Sequence, residues 1–298
     1  DRPNISYAIV QRQKGKDQLL DVLRRRQGDS GIVYCLSRKK VEQTAEWLNE
    51  KGVRALPYHA GMDAGVRSRN QDAFLKEDGL CLVATIAFGM GNDKPDVRYV
   101  AHLDMPASVE AYYQETGRAG RDGEPAEAWM CYGMGDVALR GKMIGDGNAP
   151  DEVKRIERTK LNALLGICET TECRRKAILA HFGEAHPGNC GNCDNCLSAT
   201  ETWDWTAAAI KAMSGIYRTG ERFGVMHVVD VLTGKPTEKV ERLGHDSLAV
   251  FGKGKDIDAK TWQSVLRQLT AAGVVAVNAG HGGLPLPEGA RPGVRRER

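Results

Sequence analysis

The sequence predicts an α/β unit built on a parallel sheet, then a helical cysteine-rich segment, then a smaller helical unit ending in two short strands. Three observations carry this reading. Short apolar runs alternate with amphipathic stretches through the first 145 residues. Those runs are continuously apolar, as in strands covered on both faces, rather than apolar on alternate residues. After Gly145-Asp146-Gly147-Asn148-Ala149-Pro150 the strand signal stops and helical periodicity takes over.

The elements follow in order. Residues 6–10 predict a strand and 16–26 a helix. Residues 31–36 predict a buried strand, after which Ser37 can cap a helix reaching to about Lys51. Strands at 53–56, 80–85, 97–103 and 126–132 alternate with helices at 63–76 and 108–116. In such sheets ligands bind at the carboxyl ends of the strands, in the βα loops. Residues 145–150 predict a linker, and 151–182 a charged helical stretch with Leu161, Leu164, Leu165 and Ile167 as its apolar stripe. A loop at 198–206 leads to helices at 207–217, 224–232 and 258–272. Val274-Val275-Ala276-Val277 and Leu284-Pro285-Leu286 then flank a glycine-rich turn. Two short strands after three helices predict a winged helix. Three domains are expected: 1–148, 149–203 and 204–298.

Composition narrows the partners. No run of about 18 apolar residues occurs, which excludes a membrane-spanning helix. The start, Asp1-Arg2-Pro3-Asn4, has no apolar core of a signal peptide and reads as a domain edge. The net charge of +3 is small, but it is unevenly placed: from Thr206 onward 14 Lys and Arg face 9 Asp and Glu, a net +5. The last third is therefore where nucleic acid is expected first.

Of eight cysteines, Cys35, Cys81 and Cys131 sit in apolar stretches and are expected as small buried hydrophobes. Cys168 falls outside the spacing of the others. Cys190-Gly-Asn-Cys193-Asp-Asn-Cys196, with Cys173 on the preceding helix, supplies four thiolates with tight turns between them. Such a set suits a closed, structural Zn²⁺ site. An iron–sulfur cluster could use the same donors. A disulfide framework is the third alternative, but it suits a short secreted chain.

The second local signal is Tyr113-Gln114-Glu115-Thr116-Gly117-Arg118-Ala119-Gly120-Arg121-Asp122-Gly123. Arg118 and Arg121, three apart, share a helical face. Guanidinium groups suit bidentate phosphate binding. Two arginines alone favour a basic helix end bearing surface salt bridges. The whole string resembles motif VI of superfamily-two helicases, Q-x-x-G-R-x-G-R.

Further strings carry the same resemblance. Residues 31–38 resemble motif IV of the RecQ helicases, Tyr58-His59-Ala60-Gly61-Met62 the loop that follows it, and 83–95 motif V. The cysteine array, with Arg222-Phe223-Gly224 through Gly244-His245-Asp246, resembles the RecQ zinc and winged-helix region. The resemblance runs over essentially the whole chain, with the motifs in the family's order. It implies a RecA-like lobe, a helical zinc-binding region and a winged helix, acting in an ATP-dependent 3′–5′ DNA helicase of recombination and repair in the cytoplasm. By that resemblance Arg118 and Arg121 reach the ATP γ-phosphate, with Arg121 the better arginine finger. Gln114 couples the cleft to motif movement, and Asp93 lies near the ribose. Ser37, Arg38, His59 and Thr85 line the single-strand path. Simpler roles stand beside these: a helix cap for Ser37, a packed loop residue for His59, a strand end for Thr85. Lys253, Lys255, Lys260 and Arg267, around the third helix of the winged helix, are expected to meet duplex DNA at the fork, or else to form a solvated face. His281 between glycines at the wing tip argues against a long strand-separating pin. A single-strand-binding protein is a second candidate partner.

No G-x-x-x-x-G-K-[ST] and no D-E-x-H box occurs in the sequence. ATP and Mg²⁺ are therefore expected only together with a separate N-terminal lobe, and the chain by itself is expected not to hydrolyse ATP. A zinc and winged-helix DNA-binding regulator is the rival from another class, and paired phosphate-binding arginines in a βα loop argue against it. A chromatin-remodelling or RNA helicase lobe is a second rival, and the cysteine array argues against that.

Overall fold

The computed structural model describes residues 1–85, 94–198, 202–278 and 282–287. They form two compact units, one of residues 1–133 with 170–200 and the other of 134–169 with 201–298. The chain thus leaves and re-enters each unit, and the units do not follow the consecutive segments 1–148, 149–203 and 204–298.

The first unit alternates as its sequence predicts: β1 (Ile5–Gln11), α1 (Gly15–Arg25), β2 (Ser30–Tyr34), α2 (Arg38–Glu50), β3 (Ala55–Tyr58), α3 (Ala64–Lys76), β4 (Cys81–Ala84), β5 (Val97–His102), α4 (Val109–Thr116) and β6 (Ala126–Tyr132). The strands form one six-stranded sheet in the order β1-β6-β5-β2-β4-β3, and every pairing is parallel. The starts of α2, α3 and α4 are set by side-chain caps. Ser37 accepts from the Lys40 N–H at 3.2 Å, Asp63 from Val66 at 3.0 Å and Ser108 from Ala111 at 3.2 Å. On one sheet face, Leu19 and Leu23 of α1 and Val41 and Leu48 of α2 pack on Val33 and Val83. Cys35, Cys81 and Cys131 are buried in this core, as expected of small hydrophobes.

The second unit begins with α5 (Met134–Asp146), a helix absent from the sequence expectation. Gly135, Gly141 and Gly145 dilute its helical signal, and packing against α6 (Asp151–Glu169) supplies what propensity does not. The helical stretch expected over 151–182 is broken after Glu169, and α7 (Arg174–His181) and α8 (Asp194–Leu197) belong to the first unit. Thr170 turns the chain there, its hydroxyl accepting from the Glu172 N–H at 3.1 Å. The stripe of α6 is buried as predicted.

The remaining helices are α9 (Thr206–Arg218), α10 (Val225–Thr233), α11 (Glu238–Arg242) and α12 (Ala259–Ala271), with a 3-10 turn at His245–Ser247. Trp262 of α12, fully buried, centres a core with Ile216, Val228 and Leu232, and its indole N–H donates to Gly254 O at 2.8 Å. Among the described residues, 274–277 and 284–286 are not regular strands. They form a minimal hairpin, in which Ala276 donates to Pro285 O at 2.9 Å and Asn278 to Gly283 O at 2.7 Å. Proline at 285 has no N–H to extend the ladder. His281 lies outside the described residues.

Candidate functional site

The cysteine knot is built on the edge of the sheet. Cys173 stands at the N-cap of α7, while Cys193 precedes α8 and bridges Tyr7 of β1. Tyr7 donates to Asn192 O at 3.2 Å, and Ile9 to the Asp194 carboxylate at 2.9 Å. The same carboxylate takes the Arg174 guanidinium at 3.0 and 3.2 Å. The sulfurs of Cys173, Cys190, Cys193 and Cys196 all lie within 4.8 Å of one another, and those of Cys190 and Cys196 are 3.9 Å apart. Zn–S bonds of about 2.3 Å in a tetrahedron put sulfurs about 3.8 Å apart, so the donor set fits a closed Zn²⁺ site. Cys168 is buried on α6 and is not part of this group.

The arginine pair follows α4 and precedes β6. It therefore lies in an αβ connection, which corrects the expectation of a βα loop. Gly120 takes φ +56°, and a Cβ there would stand 2.5 Å from the Asn4 amide and 2.7 Å from Glu124 O, so only glycine fits. The two arginines part company. Arg118 is 6% exposed and hydrogen-bonds the hydroxyl of Tyr34, whereas Arg121 faces solvent. Burial pushes the Tyr34 phenol well above its ordinary value, and Arg118 pulls against it. Tyr34 stacks on His102 at 5.2 Å, and His102 Nε2 meets Glu115 Oε2 at 2.7 Å. Tyr34 thus seats Arg118, and His102, held by Glu115, backs the Tyr34 ring. No local sequence signal marks Tyr34 or His102, because their role depends on three separate elements meeting. Gln114 is exposed on α4.

Of the residues expected on the single-strand path, Ser37, Arg38 and Thr85 follow the carboxyl ends of the adjacent strands β2 and β4. Ser37 also caps α2, and Arg38 lies over Gly61, where an added Cβ would come within 2.8 Å of its guanidinium. His59 is placed otherwise. It is 3% exposed, its Nε2 meets Glu42 at 2.9 Å, and its Nδ1 accepts from the Gly61 N–H at 3.2 Å. With both ring nitrogens engaged, it shapes the 59–62 loop and offers nothing to a phosphate. Asp93 lies outside the described residues.

Three family models match successive parts of the chain. The helicase conserved C-terminal domain matches residues 14–123, the RecQ zinc-binding domain 134–197 and the RQC domain 199–298. The chain belongs to the RecQ family. It is 45% identical over its whole length to the ATP-dependent DNA helicase RecQ of Pasteurella multocida, covering 47% of that protein. It is 46% identical over 92% of its length to the Haemophilus influenzae RecQ, covering 44% of it, and 36% identical over 84% of its length to the Bacillus subtilis RecQ, covering 42%. The chain thus spans about half the length of these curated relatives.

Within the RecQ winged helix the four expected DNA-facing cations are not equivalent. Lys253, Lys255 and Lys260 are exposed. Arg267 is not: it is 5% exposed and its Nε donates to Glu169 Oε1 at 2.7 Å, which removes it from any DNA surface. Charge alone could not separate them: Lys260 and Arg267 share one helical stripe, and what differs is their place along α12, Lys260 in its exposed first turn and Arg267 opposite Glu169. The N-terminus of α12 is also occupied, since Asp258 Oδ1 accepts from both Lys260 and Thr261 N–H at 2.8 and 3.0 Å. Among the described residues, no helix is long and apolar enough to cross a membrane.

Proposed function

We propose that the chain supplies the second RecA-like lobe (1–148), the zinc-binding region (149–203) and the DNA-binding winged helix (204–298) of an ATP-dependent 3′–5′ DNA helicase. Its substrates would be forked or partial duplexes in recombination and repair. The observation that carries the reading is the divided arginine pair: one guanidinium anchored on Tyr34, the other exposed three residues on. An arginine finger needs a fixed stem and a reachable tip, and Arg118 and Arg121 divide those tasks. The sequence holds no P-loop and no D-E-x-H box, so Arg121 would complete a site whose phosphate cradle and Mg²⁺ lie on another lobe. There its cation would stabilise charge developing on the transferred phosphoryl group. Gln114, exposed on α4, would sense that cleft.

Ser37, Arg38 and Thr85 would hold single-strand phosphates without reading bases. Lys253, Lys255 and Lys260 would meet the duplex. The sulfur tetrad would hold structural Zn²⁺, fixing residues 170–198 against β1. The names of the relatives, all ATP-dependent DNA helicases RecQ, support this reading. Its test is DNA-stimulated ATP hydrolysis in a full-length enzyme carrying this chain: Arg121→Ala should abolish most turnover while ATP binding persists, and normal turnover would refute the assignment.

A further inference from the structure

The loop that carries both arginines is held from outside by a third. Arg2, just before β1, donates from Nη1 to Gly117 O at 3.3 Å and from Nη2 to Ala119 O at 3.0 Å and Gly120 O at 2.6 Å. Asn4 adds a bond to Gly120 O at 2.8 Å and one to Glu124 O at 2.9 Å. One guanidinium therefore gathers three carbonyls of the 117–120 turn that follows α4. A planar fork can bridge such a set, and an ammonium cannot.

Arg2 is itself held by the zinc-binding segment. Arg175, two residues after Cys173 and 3% exposed, donates to Arg2 O at 2.8 Å, to Ile5 O at 2.7 Å and to the Asp1 carboxylate. Its guanidinium also lies over the Tyr7 ring at 5.4 Å. A second strut joins the same helices, with His181 of α7 meeting Glu110 of α4 at 2.8 Å. The cysteine knot thus reaches the arginine loop through two links, Arg175 to the Arg2 backbone and the Arg2 side chain to residues 117–120.

We infer that Arg2 is a positioning residue for the arginine finger, clamping the 117–120 backbone so that Arg121 is presented in one place. This rests on the proposed role of Arg121. Arg2 points into the loop's carbonyls, so it acts through the backbone. A finger that works on the transition state is sensitive to placement, and a shift of about 1 Å can cost on the order of a hundredfold in rate. Substrate binding depends far less on it.

Two measurements on Arg2→Ala and Arg2→Lys test the clamp. The first is amide hydrogen exchange in this chain. Gly120 N–H donates to Val97 O at 2.8 Å and Gly123 N–H to Gly120 O at 3.0 Å, so both report on the loop. Both variants should speed exchange across 117–123 while residues 190–197 and the zinc content stay as in the parent, which also shows that the variants fold. Unchanged exchange at 117–123 overturns the clamp. The second is steady-state ATP hydrolysis in a full-length enzyme carrying this chain. Expected is a fall in kcat of about tenfold or more with KM for ATP nearly constant, little rescue by Arg2→Lys, and little further loss when Arg2→Ala is added to Arg121→Ala. An unchanged kcat in Arg2→Ala, beside a strongly impaired Arg121→Ala, overturns the catalytic purpose. If Arg121→Ala itself hydrolyses ATP normally, the function reading fails, and the exchange result alone then decides the clamp.

Discussion

Arg267 of α12 and Glu169 at the end of α6 form a buried ion pair, 2.7 Å from Nε to Oε1, with each side chain only 6% exposed. The pair buries Arg267 within α12, two turns along the same helical stripe from Lys260, which stays exposed in the first turn. Removing one partner strands a charge in the interior. Arg267→Ala is expected to destabilise the second unit by about 3–5 kcal/mol. Chemical denaturation checks this, and the Arg267→Met, Glu169→Leu double variant should lose clearly less than the two single losses added together. Independent, additive losses would show that the contact carries no coupling.

Zinc and the fold of residues 170–198 are expected to be lost together. Cys190→Ser should lower bound zinc from one per chain toward none and expose this segment to protease, since metal binding and folding are one equilibrium in such knots. Because Tyr7 and Ile9 of β1 bond to the knot, exchange at the start of β1 should rise as well. Metal analysis finding iron, or a well-folded protein without metal, would overturn the zinc assignment.

The two motif arginines should fail differently. Arg121→Ala should cut ATP turnover in a full-length enzyme by roughly 10³ or more with thermal stability intact, the scale of an arginine finger. Arg118→Ala should cost stability too, because Arg118 is buried against Tyr34. Equal melting temperatures for the two variants would contradict the division of roles.

Acidification should weaken the second unit through a histidine pair. His227 Nε2 lies 2.8 Å from His245 Nδ1, and both rings are buried beside Phe223. Burial first, then His245 and Lys239, hold the His227 imidazole down to about 4. The unfolded chain, with a value of about 6.5, binds the proton more readily. Stability is therefore full above about pH 6.5 and falls between there and pH 4, by up to about 3 kcal/mol at roughly 1.4 kcal/mol per pKa unit. His227→Gln should flatten the unfolding free energy across that window. An unchanged pH slope would place the acid sensitivity elsewhere.

Duplex binding should depend on the exposed lysines. Removing Lys253 and Lys260 together is expected to weaken all duplexes about equally and to reduce the salt slope by roughly two phosphate contacts. Titrations at several salt concentrations measure this. A double variant with parental affinity and slope would mark these lysines as a solvated face, and strong preference for one base sequence would reopen the regulator reading.

The strand–helix alternation of residues 5–132, the stripe of α6 and the four metal-binding cysteines were legible in the sequence. Each is a local property: apolar period, cap residues such as Ser37 and Ser108, and thiolates at a fixed spacing. The α5 helix was not legible, because its three glycines hide a helix that contact with α6 sustains. Nor could charge separate Arg267 from Lys260, or distance along the chain reveal that Arg2 reaches residues 117–120. By itself the sequence determined which chemical groups are present and the local elements that carry them. Only the tertiary structure decided which guanidinium is buried on Tyr34, which pairs with Glu169 and which stays exposed. Burial and pairing depend on elements far apart in the chain meeting in space, and no local period records such a meeting.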